Sequence, residues 1–231
     1  MLISAQMSSS ENDKLEPLLP LEYQLRFGKH ADYRQKVWAE LIRSFFQRYV
    51  PAGGSVLDVG CGWGEFINAI EATAKYAIDL NPDATKHLAQ NVKFYRQDCS
   101  ATWPLADCSL DVVFSSNFFE HLPSKEKLLA TVNEARRCLK LGGLLICMGP
   151  NIRYVAGAYW DFFDHYLPLS DASMEELARL CGFRQVRAIK KFLPYTMAKG
   201  PQPPIYLLRC YLRLPLLWNF VGKQFLVIAQ K

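Results

Sequence analysis

No apolar run in this sequence reaches the roughly 18 residues that a membrane-spanning helix needs. The first residues hold no basic stretch followed by an apolar block, so a secretory signal is not expected. No two of the seven cysteines form a C-x-x-C pair, and their number is odd. That excludes a disulfide framework and a cysteine zinc site, and it fits reduced, mostly buried thiols in a cytoplasmic protein. No metal is expected. Acid is also missing from one end: after Glu176 there is none, while ten basic residues follow, from Arg179 to Lys231. Residues 1–176 hold 17 basic and 22 acidic side chains. The imbalance implies either an anionic neighbour for the C-terminal region or a solvated surface that balances the acidic half.

What is present is enough apolar material for one core. Half of the 231 residues are hydrophobic, which fits a single globular α/β domain and is short for two. Residues 1–20 read as a loose tail, and 21–231 as one domain with an N-terminal helix and a 150–220 substrate or cap region. Apolar side chains at Val37, Leu41, Ile42, Phe45, Phe46 and Tyr49 predict a helix over 31–50. Strands are predicted at 55–59, 75–79, 92–97, 110–115 and 144–148. Helices are predicted at 64–73, 81–90 and 124–139, the last closed by Gly142-Gly143. A short helix over 173–181, with a choice of caps in Ser170-Asp171-Ala172-Ser173 and with Ser173 and Glu176 at capping-box spacing, leads to late strands at 183–192 and 223–230. The β-α alternation specifies a doubly wound parallel sheet.

Val56-Leu57-Asp58-Val59-Gly60-Cys61-Gly62-Trp63-Gly64-Glu65 is a buried strand running into a glycine turn. The second strand ends on Asp79. Strand, glycine turn, helix, strand and acid together can hold an adenosine, with backbone approaching the ligand and the acid taking the ribose hydroxyls. The glycine spacing narrows the choice. A dinucleotide site wants G-x-G-x-x-G, yet the third-glycine position here is Glu65. An acid at that helix mouth repels a pyrophosphate and suits a cationic or zwitterionic ligand.

The residues VLDVGCGWGEF closely resemble motif I of the class I S-adenosylmethionine (SAM)-dependent methyltransferases. The resemblance covers about residues 54–231 and is specific up to Gly149. It implies a Rossmann-like seven-stranded sheet in the order 3-2-1-4-5-7-6 with helices on both faces. It implies SAM as cofactor and S-adenosylhomocysteine as product. Gly60, Cys61, Gly62 and Gly64 would form the cofactor loop, with Asp58 orienting it or reaching the SAM amino group through water. Asp79 would take the ribose. Asp98 would take the adenine amino group, with the Cys99 backbone beside the ring and Leu80 on its face. Asn117 would meet the methionine moiety, and Arg34 its carboxylate.

The segment Ser116-Asn117-Phe118-Phe119-Glu120-His121-Leu122 bears on reaction class. It lacks the N/D-P-P-Y/W motif of enzymes that methylate base amines, and it resembles the E-H-L form of small-molecule methyltransferases. This argues against nucleic acid as acceptor. Methyl transfer from SAM asks the protein mainly to position the nucleophile and exclude water. A hydroxyl nucleophile also benefits from a base with a pKa near neutrality. His121 and His165 are the candidates, each with backbone hydrogen bonding as the plain alternative, and an acid near either would fix its tautomer. Tyr154, Trp160, Phe163 and Tyr166 are candidates for an acceptor pocket, or for core beneath a long loop. The apolar segment 205–220, with Arg209 and Arg213 on one helical face, suits a membrane interface, packing on the sheet, or a homodimer contact.

The combined expectation is an O-methyltransferase acting on a small acceptor: a sugar, a glycolipid or a related metabolite, anionic or lipid-linked. The 150–220 region resembles methyltransferases of bacterial surface glycan or glycolipid assembly. The location expected is the cytoplasm, with the inner face of the membrane compatible. A quinone or natural-product O- or C-methyltransferase is the enzymatic alternative. A non-catalytic SAM- or RNA-binding module on the same fold is the other.

Overall fold

The computed structural model of the chain describes residues 19–195 and 202–231. The expected tail lies outside these except at its end, where Leu19 and Pro20 already belong to helix α1 (Leu19–Phe27). Helix α2 (Ala31–Leu41) continues through a π-helical turn, Ile42–Phe46, and a 3-10 turn, Gln47–Tyr49. The chain then enters β1 (Ser55–Val59), α3 (Glu65–Ala69), β2 (Ala74–Asp79), β3 (Val92–Arg96) and β4 (Leu110–Ser116). After these come α4 (Lys125–Cys138), β5 (Leu139–Pro150), α5 (Ile152–Val155), α6 (Asp171–Leu180), β6 (Gln185–Ile189), α7 (Ile205–Arg213), α8 (Pro215–Val221) and β7 (Gln224–Gln230).

The seven strands form one sheet in the order β3-β2-β1-β4-β5-β7-β6, as the resemblance implied. The β1, β2, β3, β4 and β5 pairings are parallel, and β7 runs antiparallel between β5 and β6. This is the Rossmann-like class I methyltransferase fold. Successive side chains of a strand point to opposite faces, so an all-apolar strand feeds two cores. Leu57 and Val59 pack with α4 and α6 residues such as Val132 and Met174. Val56, Val112, Phe114 and Ile146 pack on the other face with α2, α3 and the C-terminal helices. There Phe66 and Phe114 stack with ring centroids 3.6 Å apart, tilted by 12°.

Several expected helices are shorter, for identifiable reasons. The helix expected to 73 ends at Ala69 because the Gln47 side-chain amide takes both backbone groups of Glu71. The helix expected over 81–90 is a 3-10 turn, Pro82–Lys86, capped by Asn81. Asn68 accounts for its end: its side chain accepts from Ala89 N and donates to the His87 carbonyl. Gly142 and Gly143 do not close α4. The helix ends at Cys138, and these glycines lie where β5 shifts register against β4. Helix α6 is capped by Ser170 in a reciprocal box with Ser173, so the expected Ser173–Glu176 box is replaced by one three residues earlier.

A buried cation–anion contact pins the C-terminal helices. Glu40, 4% exposed, accepts from Arg209 of α7 at 3.0 and 3.1 Å and from Arg43 and Ser44. Arg209 is thus a packing residue rather than part of an open basic face, whereas Arg213 is exposed. Among the described residues no helix is long and apolar enough to cross a membrane.

The Phe66–Phe114 stack sits where α3 meets the central strand. Phe114→Ala is expected to lower the unfolding free energy by about 3–5 kcal/mol, read as a reduced urea midpoint with an unchanged slope. A loss below about 1 kcal/mol would mean that the neighbouring rings refill the space.

Candidate active site

The strongest sequence signal folds into a tight construction. Gly60, Gly62 and Gly64 all have positive φ, at 70°, 54° and 74°, a conformation that L side chains rarely adopt. Side chains also crowd this turn. A methyl group at Gly60 would collide with the Phe118 ring, and one at Gly62 with the Tyr23 hydroxyl of α1. Cys61 is buried within the turn, and its amide donates to the Ile78 carbonyl at 3.3 Å, beside Gly60 at 2.8 Å.

Asp79 is the fastener. Its Oδ2 accepts from Gly62 N and its Oδ1 from Asn81 N, each at 2.8 Å. A carboxylate offers about four acceptor positions, so lone pairs remain for ribose hydroxyls. Burial raises the Asp79 pKa against the lowering effect of these backbone bonds. Asp58 is buried beside it. Burial first, then the charges of Asp79 and Glu65, push its carboxyl well above the ordinary range. Asp58 and Asp79 thus crowd the turn beside a Glu65 that Arg34 already pairs, and a ligand carrying positive charge would relieve them. The turn fits SAM: glycine backbone that allows close approach, an acid at the strand end, and carboxyl groups that would suit a sulfonium and an amino group.

The other expected cofactor residues have these positions. Arg34 pairs with Glu65, its Nε at 2.8 Å and a terminal nitrogen at 2.7 Å. Asp98 accepts from Lys127 Nζ at 2.5 Å and from Ser100 N and Oγ at 2.8 and 2.7 Å. Burial raises Asp98, but Lys127 and Ser100 outweigh it and hold the carboxyl below its usual value. Cys99 is buried, and its carbonyl accepts the Trp103 indole N–H at 2.7 Å. Leu80 is half-buried and its carbonyl accepts from Arg96. Asn117 is exposed, with φ 49°, its N–H bonded to the Met148 carbonyl at 2.8 Å. The sequence reading passed over Trp63, which stacks on His87 at 4.5 Å, and Tyr23, 6.1 Å from Trp63.

The two candidate histidines, 44 residues apart in sequence, come together with ring centroids 4.8 Å apart. His121 lies in a 3-10 turn, Phe119–His121, directly after the Phe118 that covers Gly60. Its Nδ1 is 2.8 Å from Asp164 Oδ2 and 3.0 Å from the Asp164 carbonyl. Both partners accept, so Nδ1 carries the proton and Nε2 is left bare. Asp164 in turn receives two bonds from Arg26 of α1, at 3.0 and 2.5 Å. The acid adjacent to His165 in sequence therefore fixes the other histidine. Burial lowers the His121 pKa, but Asp164 and Glu120 outweigh it and the net shift is upward. His165 is 8% exposed, and burial, then the neighbouring His121, lower it to about 4.

Glu120 of the Glu120-His121-Leu122 motif joins this pair. It is 2% exposed, and burial pushes its pKa up to about 7 against the opposing pull of His121. The aromatic candidates sort differently from expectation. Trp160 and Phe163 are 53% and 88% exposed, and Tyr166 is also exposed. Tyr154 is half-buried beneath the Lys191 ammonium. The rings that surround His165 are Phe162, stacked at 5.0 Å, and the fully buried Tyr159 at 4.7 Å. Tyr195 lies against Phe162 at 6.1 Å. A helix-like or strand-like period is absent from 151–170, so sequence alone could not separate the buried rings from the exposed ones.

Comparison with known proteins agrees with this geometry. Residues 57–147 match the family model described as a methyltransferase domain. A Mycolicibacterium smegmatis protein named "Probable S-adenosylmethionine-dependent methyltransferase" is 31% identical over 138 residues, covering 57% of this chain and 52% of that protein. The chain thus spans about half the length of the curated relatives it matches. Among solved structures, a SAM-dependent methyltransferase from Archaeoglobus fulgidus superposes with a TM-score of 0.65 at 22% identity, over 91% of this chain and 98% of that one. A Mesorhizobium loti SAM-dependent methyltransferase gives 0.57 at 15% identity, over 84% and 98%.

The raised pKa of Asp58 has a sign for stability. A carboxyl raised on folding contributes stability that is present at low pH and is lost as pH rises through its folded value. Asp58→Asn is therefore expected to raise the melting temperature of the ligand-free protein at neutral pH, with the gap narrowing as pH falls. A variant that melts lower at neutral pH would show instead that the ionised carboxylate holds the turn.

Proposed function

We propose, from a chain whose residues 57–147 form a methyltransferase domain of the SAM-dependent class I type, that the protein is an O-methyltransferase. Its acceptor is a hydroxyl of a sugar, glycolipid or related small metabolite. The observation that supports the oxygen acceptor is the His121–Asp164 pair. A histidine with one nitrogen fixed on a carboxylate, the other bare, and a raised pKa is suited to take a proton from a hydroxyl. Only Phe119 and Glu120 separate it from the Phe118 that covers the cofactor turn.

Bound SAM supplies an already activated methyl group and leaves as S-adenosylhomocysteine. The chain's own residues then have four tasks. Asp79 orders the glycine turn and presents its remaining lone pairs to the ribose. Asp98, beside Lys127, meets the adenine amino group, with the Cys99 backbone and Leu80 at the ring. Asp58 and Glu65 supply negative charge near the ligand's cationic groups, and Arg34, paired to Glu65, marks the carboxylate end. His121 receives the hydroxyl proton while Phe162 and Tyr159 exclude water around His165.

The rings about His165 also favour a second reading, a flat aromatic acceptor such as a quinone or phenol. Parallel assays with labelled SAM on sugar-lipid and phenolic acceptors separate the two.

The calorimetric and kinetic expectations are specific. SAM and S-adenosylhomocysteine bind to the purified chain, and Asp79→Ala weakens SAM about 10- to 100-fold through loss of charge-assisted hydrogen bonds. His121→Ala lowers kcat by about 10²- to 10⁴-fold while SAM affinity stays within about twofold. Normal turnover of His121→Ala would leave positioning alone as the mechanism.

A lipid-linked acceptor gives a use to the C-terminal surface. Leu214, Leu216, Leu217, Phe220 and Val221 are all exposed, two of them to 79% and 85%, and exposed Arg213 and Lys223 flank them. We read this patch as seating on an anionic bilayer, at the inner face of the membrane. Co-sedimentation with phosphatidylglycerol vesicles is expected, reduced by salt and abolished by Leu216→Ser with Phe220→Ser. Equal recovery of wild type and double variant would end the lipid reading.

A further inference from the structure

Glu120, His121 and His165 form the densest set of donor atoms among the described residues, and two of those donors have nothing to bond. The Oε2 of Glu120 and the Nδ1 of His165 lie fully out of solvent without a hydrogen-bond partner. Their residues are 2% and 8% exposed. A buried polar group left unmatched costs about 1–3 kcal/mol, more for a charged one. Two such groups in one place, each from a different segment of the chain, indicate a shared occupant.

We propose that Glu120, His121 and His165 hold a divalent transition-metal cation on the acceptor side of the site. One donor atom from each residue lies within 4.8 Å of the others. The His121 Nε2 and the Glu120 Oε1 are 3.9 Å apart. Ligand atoms around a tetrahedral centre with bonds near 2.1 Å lie about 3.4 Å apart, so a pair at the outer limit of 4.8 Å closes by about 1.4 Å. Two imidazoles and one carboxylate form the donor set of open, catalytic zinc sites and of related Fe(II) sites, with a position left for water or substrate.

The surroundings match a metal site beyond the donors. Ligating histidines almost always anchor their second nitrogen on a carboxylate or a backbone carbonyl. His121 does so through Asp164 at 2.8 Å, and Arg26 fixes Asp164. Phe162 and Tyr159 clamp the His165 ring on its face and edge. Such a cation would bind the acceptor hydroxyl and lower its pKa. The hydroxyl proton then leaves to solvent water, and the oxygen attacks the methyl group as that group's bond to the sulfonium breaks. With the cation bound, His121 is a ligand in place of the proton acceptor. The inference rests on the oxygen-acceptor reading for its purpose, but not for its detection.

The test uses the full chain carrying Cys108→Ser and Cys210→Ser, since those are the two exposed thiols. Protein stripped with chelator is titrated with Zn²⁺ by calorimetry and with Co²⁺ by visible absorption, with no SAM or acceptor present. The expected result is one equivalent bound at micromolar Kd or tighter, and a Co²⁺ band of an imidazole-carboxylate centre. Glu120→Gln and His165→Ala are expected to lose more than 100-fold in affinity. Asp164→Asn, which keeps all three donors and is the milder change for folding, is expected to lose about 10- to 100-fold. Absence of binding by the folded parent chain, or unchanged binding in all three variants, would overturn the site and leave a proton shared between Glu120 and His165. Cation binding without methylation of any hydroxyl acceptor would sink the oxygen reading and keep the metal. Full hydroxyl methylation in excess chelator would do the reverse.

Discussion

The two hydrogen bonds that Asp79 accepts, from Gly62 and Asn81, hold the functional end of this molecule in shape. They connect the end of β2 to the turn that follows β1, across two strands already in parallel register. Glycine pays the largest entropy on ordering, so a turn with three positive-φ glycines depends on these bonds together with those from Gly60 N and Cys61 N to the Ile78 carbonyl. With them, backbone is held open for close approach and side chains can pack on it. Phe118 lies on Gly60 and Tyr23 on Gly62, so the segment after β4 and the first helix take their positions from the same turn. His121 follows Phe118 by three residues.

This arrangement stores unfavourable charge where a ligand is to bind. Asp58, Asp79 and Glu65 are brought together by β1, β2 and the mouth of α3. Burial pushes the carboxyls of the two aspartates upward, so their ionised forms are disfavoured in the ligand-free protein. The same acids would repel the pyrophosphate of a dinucleotide. Selectivity for a cationic adenosyl ligand and the disfavoured ionisation are thus one electrostatic fact seen from two sides. Glu120, next to His121, is likewise buried, with one oxygen unmatched.

Much of this could be read from sequence because it was local. Strand, glycine turn and terminal acid sit within 25 residues, and the near-continuous apolar strands demanded cover on both faces. The order of the late strands came by resemblance. What could not be read was set by side chains reaching across the chain. Gln47, bonded to the Glu71 backbone, leaves α3 ending at Ala69, and Asn68 ends the turn after Pro82. Asp164 stands next to His165 in sequence yet serves His121. Trp160, Phe163 and Tyr166 point to solvent, while Tyr159 and Phe162 surround the histidine. The stretch 19–27 carries no strong periodicity, and its helix is explained by what it covers.

That helix makes the two halves of the site dependent on each other. Tyr23 lies on the cofactor turn, and Arg26, one turn later on α1, holds Asp164 and through it the His121 ring. Residues three apart on a helix share a face, so a single rigid element spans both contacts. A ligand that enters at Gly62 must displace or accommodate Tyr23. Any shift of α1 that does so also moves the guanidinium that orients Asp164. The contact at the glycine turn and the contact at Asp164 are therefore joined by about five ångströms of helix, so a displacement of α1 at one end is felt at the other with no longer path through the core.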